Sequence, residues 1–539
     1  MMTKQNAVLM NSEKQENENL IDYAARLSRF WANYKSLEER KAKAQFFTPK
    51  EISNFMANMI TIKKTSFRLL DPGAGVGNLT AAFCYQLTKY PMKCSIFVDA
   101  YENDPELIPP LKSVLDACET ELKENGHLMN YDIIEKDFVI HNQRILEDQS
   151  PLTQFSTERF YDYIISNPPY FKLERNSPQA IIMRKFISGH PNIYALFMIL
   201  SAKMLNNNGE LVFITPRSFC SGTYYKKFRN WFLHTVQIEH IHSFESRKDI
   251  FSPDQVLQEN ILIKAIKSSA HQDSIIISSS KSKTFNFFNE ITVARNDVIF
   301  HKNGDVFIRI PSSWRDVATL RLIDTWPKTL KDLGLEISTG PVVVFRTKEN
   351  VCHKIKNNDK FVPLIWMYNF DKTKINWPLQ KKNKPTSIYV NERTKPLLLP
   401  VKNYVLLGRF SFKEQRKRLN VAVLLKDNFP FNFVGIENHV NYIHKLYGEL
   451  TKEEAWGIAT LLNTKLIDSY FRSLNGNTQV NAIDIRSLPL PNLEQIKNIG
   501  KKFLEKHESY NDWDGIVCEI MQIKTPEKLF DNKGDVNNE

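Results

Sequence analysis

Between residues 67 and 266, short apolar runs alternate with helix-like stretches, and this alternation constrains the fold more than anything else in the chain. Residues 67–70 lead into a glycine loop and a helix over 78–89. Residues 95–98 read as a second strand, followed by a helix near 106–123. Residues 131–134 and 161–166 are further strands. A helix over 193–205 precedes a strand at 209–214, and residues 256–266 read as one more. Strands separated by helical stretches predict an α/β domain with a mostly parallel, doubly wound sheet. In such a sheet the strand C-termini share one edge, and ligands bind in the crevice beyond it.

The strand over 161–166 closes in Asn167-Pro168-Pro169-Tyr170. At about 5% usage per residue, this tetrapeptide arises by chance roughly 0.003 times in a chain of 539 residues. That favours a built feature over a plain strand-ending turn. Two prolines fix the backbone and remove two N–H donors. The Asn167 side chain and nearby carbonyls are left as acceptors, which suits a planar amino group, and Tyr170 can stack on a planar ring.

A second constellation lies on the same predicted edge. Asp71-Pro72-Gly73-Ala74-Gly75-Val76-Gly77-Asn78 joins a strand to a helix. Three glycines at alternate positions allow a tight turn and a close backbone approach to a ligand. A dinucleotide site is the competing reading. The spacing is GxGxG rather than GxGxxG, however, and Asp71 repels a pyrophosphate but suits a cation. Glu102, just past the second strand, is placed to accept both hydroxyls of a ribose, with Asp104 as its rival. Asp137, past the third, is placed to accept from an adenine amine while Phe138 packs on the ring. Ribose acceptor, adenine acceptor and acidic loop together describe S-adenosylmethionine.

Elsewhere the chain is less patterned. Residues 1–44 are expected to form an N-terminal helical arm, with Leu20, Ile21, Ala24, Leu27, Phe30 and Trp31 at helical spacing. The catalytic domain is placed at 45–315. A second, mixed α+β domain with a helical end is placed at 316–539, where the pattern is strand-poor, proline-dotted and basic. Net charge is +12, and residues 331–450 hold 21 Lys+Arg against 10 Asp+Glu, a difference of +11. Such a segment implies a polyanion partner, most simply nucleic acid, over a merely solvated basic face. The six cysteines include no CxxC pair, so neither a zinc site nor a disulfide frame is indicated. No metal is expected. The sequence holds no 18-residue apolar run and no signal peptide, so no membrane is expected and a cytoplasmic location is the default.

The order Phe46-Phe47-Thr48-Pro49, then Asp71-Pro72-Gly73-Ala74-Gly75, then Asn167-Pro168-Pro169-Tyr170 resembles the gamma-group adenine-specific DNA methyltransferases of type II restriction–modification systems. The block from Arg409-Phe410-Ser411 through Lys413-Glu414 to Arg418 is similar to that of the BsuBI/PstI-like methylases. So is the segment around Asn475 to Asn481 with Leu488-Pro489-Leu490-Pro491. The resemblance implies a Rossmann-like S-adenosylmethionine-dependent domain followed by a DNA target-recognition domain. It implies that Phe47, Thr48 and Pro49 hold the methionine end of the cofactor, and that Asp71 meets its ammonium. It also implies double-stranded DNA as substrate, a flipped-out adenine methylated at N6, and a separately encoded companion endonuclease. Phe300 is a candidate for the second aromatic against the flipped base. Arg409, Lys413, Arg416 and Arg418 are the cations expected to meet DNA. Methylation of an RNA adenine or a protein glutamine, and a non-catalytic specificity subunit, remain the alternatives.

Overall fold

The computed structural model describes residues 13–43, 45–146, 159–174, 176–188, 192–245, 259–270, 272–285, 288–302, 304–353, 360–412, 414–476, 479–506 and 512–523. The chain divides into two compact units, residues 1–312 and 313–539.

The first unit is built on a nine-stranded sheet. Its strands are β1 (Ser66–Pro72), β2 (Ser95–Tyr101), β3 (Leu128–Ile134), β4 (Tyr161–Ser166), β5 (Leu205–Pro216), β6 (Gln237–Phe244), β7 (Asn260–Ile266), β8 (Ser274–Ser280) and β9 (Asn289–Ala294). They lie in the order β3-β2-β1-β4-β5-β7-β6-β8-β9. Strands β1 to β6 run parallel, while β7 lies antiparallel between β5 and β6. The alternating pattern is therefore realised as a doubly wound sheet. The strand order reverses at β1 and β4, which makes their C-terminal ends the switch point where such sheets take ligands.

Both faces of the sheet are covered, as the continuous apolar strands require. Leu69, Val98, Ile165 and Val212 face one core, shared with α1 (Leu20–Tyr34), α2 (Lys50–Met59), α3 (Asn78–Thr88) and α4 (Ile108–Glu124). Leu70, Ile164, Leu211 and Phe213 are of opposite parity and just as buried. Helix α5 (Tyr194–Met204) packs against β5 and buries every residue but Lys203, so it has no broad polar face to reveal itself by periodicity.

Helix α1 was expected as part of a separate arm. It belongs to the core of the first unit instead. Asn19 caps it by accepting from the Asp22 N–H, and Leu20, Ile21, Tyr23, Ala24, Leu27, Ser28 and Trp31 form its buried stripe.

The second unit differs from its sequence pattern, which looked poor in strands. It carries a six-stranded sheet (Leu335–Thr339, Val440–Lys445, Tyr404–Gly408, Val421–Leu424, Lys374–Ile375, Phe370–Asp371) and a five-stranded one (Val351–Cys352, Ser387–Tyr389, Phe361–Ile365, Phe433–Ile436, Leu398–Pro400). These strands are two to six residues long, too short for a two-residue period to register in sequence. Helices Lys452–Leu462, Lys465–Leu474 and Leu493–Glu505 follow. Among the described residues, no helix is long and apolar enough to cross a membrane.

Candidate functional site

At the switch point of the first unit lies a cavity of about 370 Å³, within the size range of small-molecule sites. Phe46, Phe47 and Thr48 line it on one side. Gly73, Ala74 and Gly75 line it at the end of β1, Glu102 and Asp104 beyond β2, and Asp137 and Phe138 beyond β3. Asn167 and Pro169 line it beyond β4. Five segments singled out in the sequence thus line one cavity.

The glycine loop turns because its glycines adopt conformations closed to other residues. Gly75 has φ +60° and Gly77 has φ +88°. A Cβ on Gly77 would sit 3.1 Å from Leu111 and 3.2 Å from Val114, so the loop lies tight on α4. The N–H groups of Gly73 and Ala74 both donate to the Tyr101 carbonyl, fixing the loop to the end of β2.

Glu102 accepts from the Gly75 N–H at 2.9 Å and from the Asp104 N–H at 2.8 Å. Burial raises its carboxyl above the ordinary range, and those two N–H groups only partly offset it. Its rival Asp104 also lines the cavity but is engaged elsewhere, by Lys35 at 2.7 Å, Lys43 at 3.0 Å and Gln45. Burial works against the Asp104 charge, but these partners outweigh it and hold the carboxyl well below the usual range. Asp137 caps the short helix Phe138–His141 through the Ile140 N–H at 2.8 Å and accepts from Gln179 at 3.2 Å. The Phe138 ring is pinned between Tyr101 and Phe197, each with its ring centroid 5.0 Å away.

Asn167 is held at both ends of its amide. Its Nδ2 donates to the Phe46 carbonyl and to Thr48 Oγ1, both at 3.0 Å. Its Oδ1 stands 2.8 Å from the Tyr170 hydroxyl, which is also 2.8 Å from the Ile214 carbonyl. One hydroxyl proton serves two acceptors there, so the Asn167 oxygen keeps accepting capacity. Ser166 Oγ donates to the Pro72 carbonyl at 2.8 Å and ties this turn to the glycine loop.

Other expected residues stand off the wall. Pro49 begins α2 behind Thr48, Pro168 is buried, and Tyr170 packs its half-buried ring against the sheet core. Asp71, expected to face the ligand, is fully buried at the end of β1. Its Oδ2 accepts from Thr80 at 2.8 Å and its Oδ1 is an orphaned buried oxygen. Burial pushes its carboxyl up to about 7, against the opposing Thr80 hydrogen bonds. Phe300 does not line the cavity either, because the Arg309 guanidinium covers its ring at 4.1 Å. Sequence reasoning missed Phe171, Asn78 and Phe197. Phe171 follows the proline turn directly, and Asn78 opens α3, so both adjoin recognised motifs. Phe197 sits in the nearly all-buried α5, where no pattern marks it.

In the second unit, the two blocks of the methylase resemblance meet. Phe410 bridges Gln479, and the Val480 N–H donates to the Arg409 carbonyl at 2.8 Å. Arg418, expected to meet DNA, is 1% exposed; its guanidinium donates to Ser411 Oγ at 3.0 Å and to the Asn475 carbonyl at 3.1 Å. That role is corrected, because the loop folds back on the C-terminal block and needs a cation inside to satisfy it. Arg409 is half-buried and donates to the Asn438 carbonyl at 2.6 Å. Arg416 is exposed, and Lys413, with Asn477 and Thr478 of the other block, lies outside the described residues.

Residues 83–251 match the family model described as Eco57I restriction-modification methylase. The chain is 35% identical to the type II methyltransferase M.PstI of Providencia stuartii over 90% of its own length and 94% of that protein. It is 33% identical to the type II methyltransferase M.BsuBI of Bacillus subtilis, over 93% of its length and 96% of that protein. A tRNA1(Val) (adenine(37)-N6)-methyltransferase of Pedobacter heparinus matches at 28% identity over 35% of this chain and 68% of its own.

Proposed function

The chain belongs to the BsuBI/PstI-like type II restriction–modification methyltransferases, and on that premise we propose that it moves a methyl group from S-adenosylmethionine to the N6 amine of an adenine flipped out of duplex DNA, protecting the site from a separately encoded endonuclease. One observation carries this reading. Asn167, with an amide oxygen able to accept, lines the same cavity as Gly73, Gly75, Glu102 and Asp137.

The donor set suits the cofactor. Glu102 would take the ribose hydroxyls, Asp137 and Phe138 the adenine, and Phe47 and Thr48 the methionine end, with the orphaned Asp71 Oδ1 left as the acceptor for its ammonium. The bound cofactor supplies a methyl on a sulfonium whose leaving group is neutral. What remains for the protein is to prepare the nucleophile. The adenine amine is poor because its lone pair is delocalised into the ring. The Asn167 oxygen accepts a hydrogen bond from it, which draws the pair back onto nitrogen. Holding that nitrogen in line with the methyl supplies most of the acceleration. A base stacked in a duplex cannot reach such a cavity, so the adenine is extruded to meet it. The relative named as an adenine-N6 enzyme supports the amine as acceptor, and the full-length type II relatives favour DNA over RNA. The basic second unit is the target-recognition domain, and Arg409, Lys413 and Arg416 are the cations proposed to meet phosphates.

Incubation with labelled cofactor and, separately, duplex DNA, RNA or protein tests this, with digestion to nucleosides. Label on N6 of DNA adenine is expected. Label confined to RNA or protein, or on another DNA base, overturns it.

A further inference from the structure

The proposed chemistry needs one particular end of the Asn167 amide to face the substrate, and the two ends are nearly the same shape. If the amide were turned over, its NH2 would meet an incoming amine, donor against donor. Something must make the two orientations unequal. The Phe46 carbonyl does so directly, because it can only accept and therefore admits only the Nδ2 end, at 3.0 Å. Thr48 Oγ1 reinforces this from the same side at 3.0 Å.

Phe46 and Thr48 lie in an extended segment rather than in a helix or strand. A polar chain behind the cavity anchors that segment. Asn78, the first residue of α3, donates from Nδ2 to the Thr48 carbonyl at 2.6 Å. That fixes the Asn78 amide in turn, since a carbonyl accepts only from nitrogen. Its Oδ1 then faces Ser28 Oγ, which donates to it at 2.7 Å from the buried stripe of α1. Ser28 is 6% exposed and does not line the cavity.

We propose that Ser28 is a positioning residue for methyl transfer: through Asn78 and Thr48 it fixes the segment that orients the Asn167 amide. The chain Ser28 Oγ, Asn78, Thr48, Asn167 is continuous in hydrogen bonds and joins α1 to the proline turn. Removing the Ser28 hydroxyl leaves a buried Asn78 oxygen unsatisfied and held from one end only, so Thr48 loses its fixed mount. The loss is expected on turnover before cofactor binding, because Ser28 lies off the cavity and acts through the Thr48 hydroxyl that orients Asn167.

The inference rests on the methyltransferase reading, and the test separates the two. Steady-state kinetics on duplex DNA are compared for the wild type, Ser28→Ala, Thr48→Val, Thr48→Ser and the double variant Ser28→Ala/Thr48→Val, each checked for thermal stability. Ser28→Ala is expected to lower kcat about tenfold with the cofactor KM within about twofold of wild type. Thr48→Ser, which keeps the hydroxyl, is expected to recover most of the turnover lost in Thr48→Val. The double variant should lose little more than Thr48→Val alone, because both act on one chain. An inactive wild type removes the methyltransferase reading and this inference with it. With an active wild type, a normal kcat in Ser28→Ala overturns the inference alone, as do losses that simply multiply. A kcat loss that tracks the unfolded fraction does the same.

Discussion

Nδ2 of Asn167 donates to Oγ1 of Thr48 at 3.0 Å, across 119 residues of sequence. Two motifs that look independent in the chain are thus one assembly, in which the first sets the geometry of the second. Substitutions at Asn167 should reveal this. Asn167→Ala removes the acceptor and should abolish measurable turnover while equilibrium binding of the cofactor stays near wild type. Asn167→Asp is more diagnostic. It keeps an acceptor for the amine but sets a carboxylate oxygen against the Phe46 carbonyl. Turnover should fall about a hundredfold or more, comparable to losing one aimed donor in other active sites. Near-normal turnover by the aspartate variant would mean that the Phe46 contact orients nothing.

Glu102 and Asp104 compete for the ribose by sequence position alone, and their partners separate them. Glu102 faces the cavity with two backbone N–H groups behind it, whereas Asp104 is engaged by Lys35, Lys43 and Gln45. Glu102→Gln puts an NH2 against one of those backbone donors and should weaken cofactor binding about ten- to a hundredfold. At saturating cofactor, kcat should change little. Asp104→Asn should cost thermal stability more than affinity. Titration calorimetry on both variants checks the assignment, and a larger affinity loss at Asp104 would reverse it.

If Asp71 meets the cofactor ammonium, cofactor binding should depend on pH. Its folded carboxyl titrates at about 7 because it is fully buried, far above its ordinary range. A raised folded value means that its stabilising contribution is present when protonated, below about pH 4, and is lost as pH rises through 7. Binding a cation runs the other way, because only the ionised form attracts an ammonium. Cofactor affinity should therefore strengthen between pH 6 and 8 in the wild type while thermal stability declines. In Asp71→Asn, both trends should flatten over that window. Affinity that is flat with pH in the wild type would detach Asp71 from the ammonium.

The sheet and the cavity were legible because each rests on a local signal. Strand β4 is buried along its whole length and reads as a mostly apolar run, and the glycine and proline turns at the ends of β1 and β4 punctuate the pattern. The switch point follows from those strands. The reversed direction of β7 was not legible, because a strand's orientation leaves no mark on its own periodicity. Tyr170 shows a different limit. Its place in the motif suggested a ring facing the ligand, yet its hydroxyl reaches back to Asn167 and the Ile214 carbonyl, a partner on a strand far along the chain. The second unit's strands of two to six residues carry too few positions to establish any period.

Arg416 and Arg418 stand two residues apart in a basic run and should respond oppositely to mutation. Arg416 is exposed, whereas Arg418 is buried against Ser411 and Asn475. Loss of the buried cation removes a donor from the Asn475 carbonyl and lifts a favourable charge from Asp484, whose own carboxyl burial already pushes up to about 6. Arg418→Ala should therefore destabilise the protein by about 2–4 kcal/mol in denaturant unfolding, without a specific change in the salt dependence of DNA binding. Arg416→Ala should leave the unfolding midpoint within about 0.5 kcal/mol of wild type. If Arg416 meets a phosphate, it should also reduce the slope of log affinity against log salt by about one. Measuring both quantities for both variants separates internal cations from those available to a polyanion. An unchanged salt slope in Arg416→Ala would remove that side chain from the DNA contact, and a normal unfolding midpoint in Arg418→Ala would contradict its structural role.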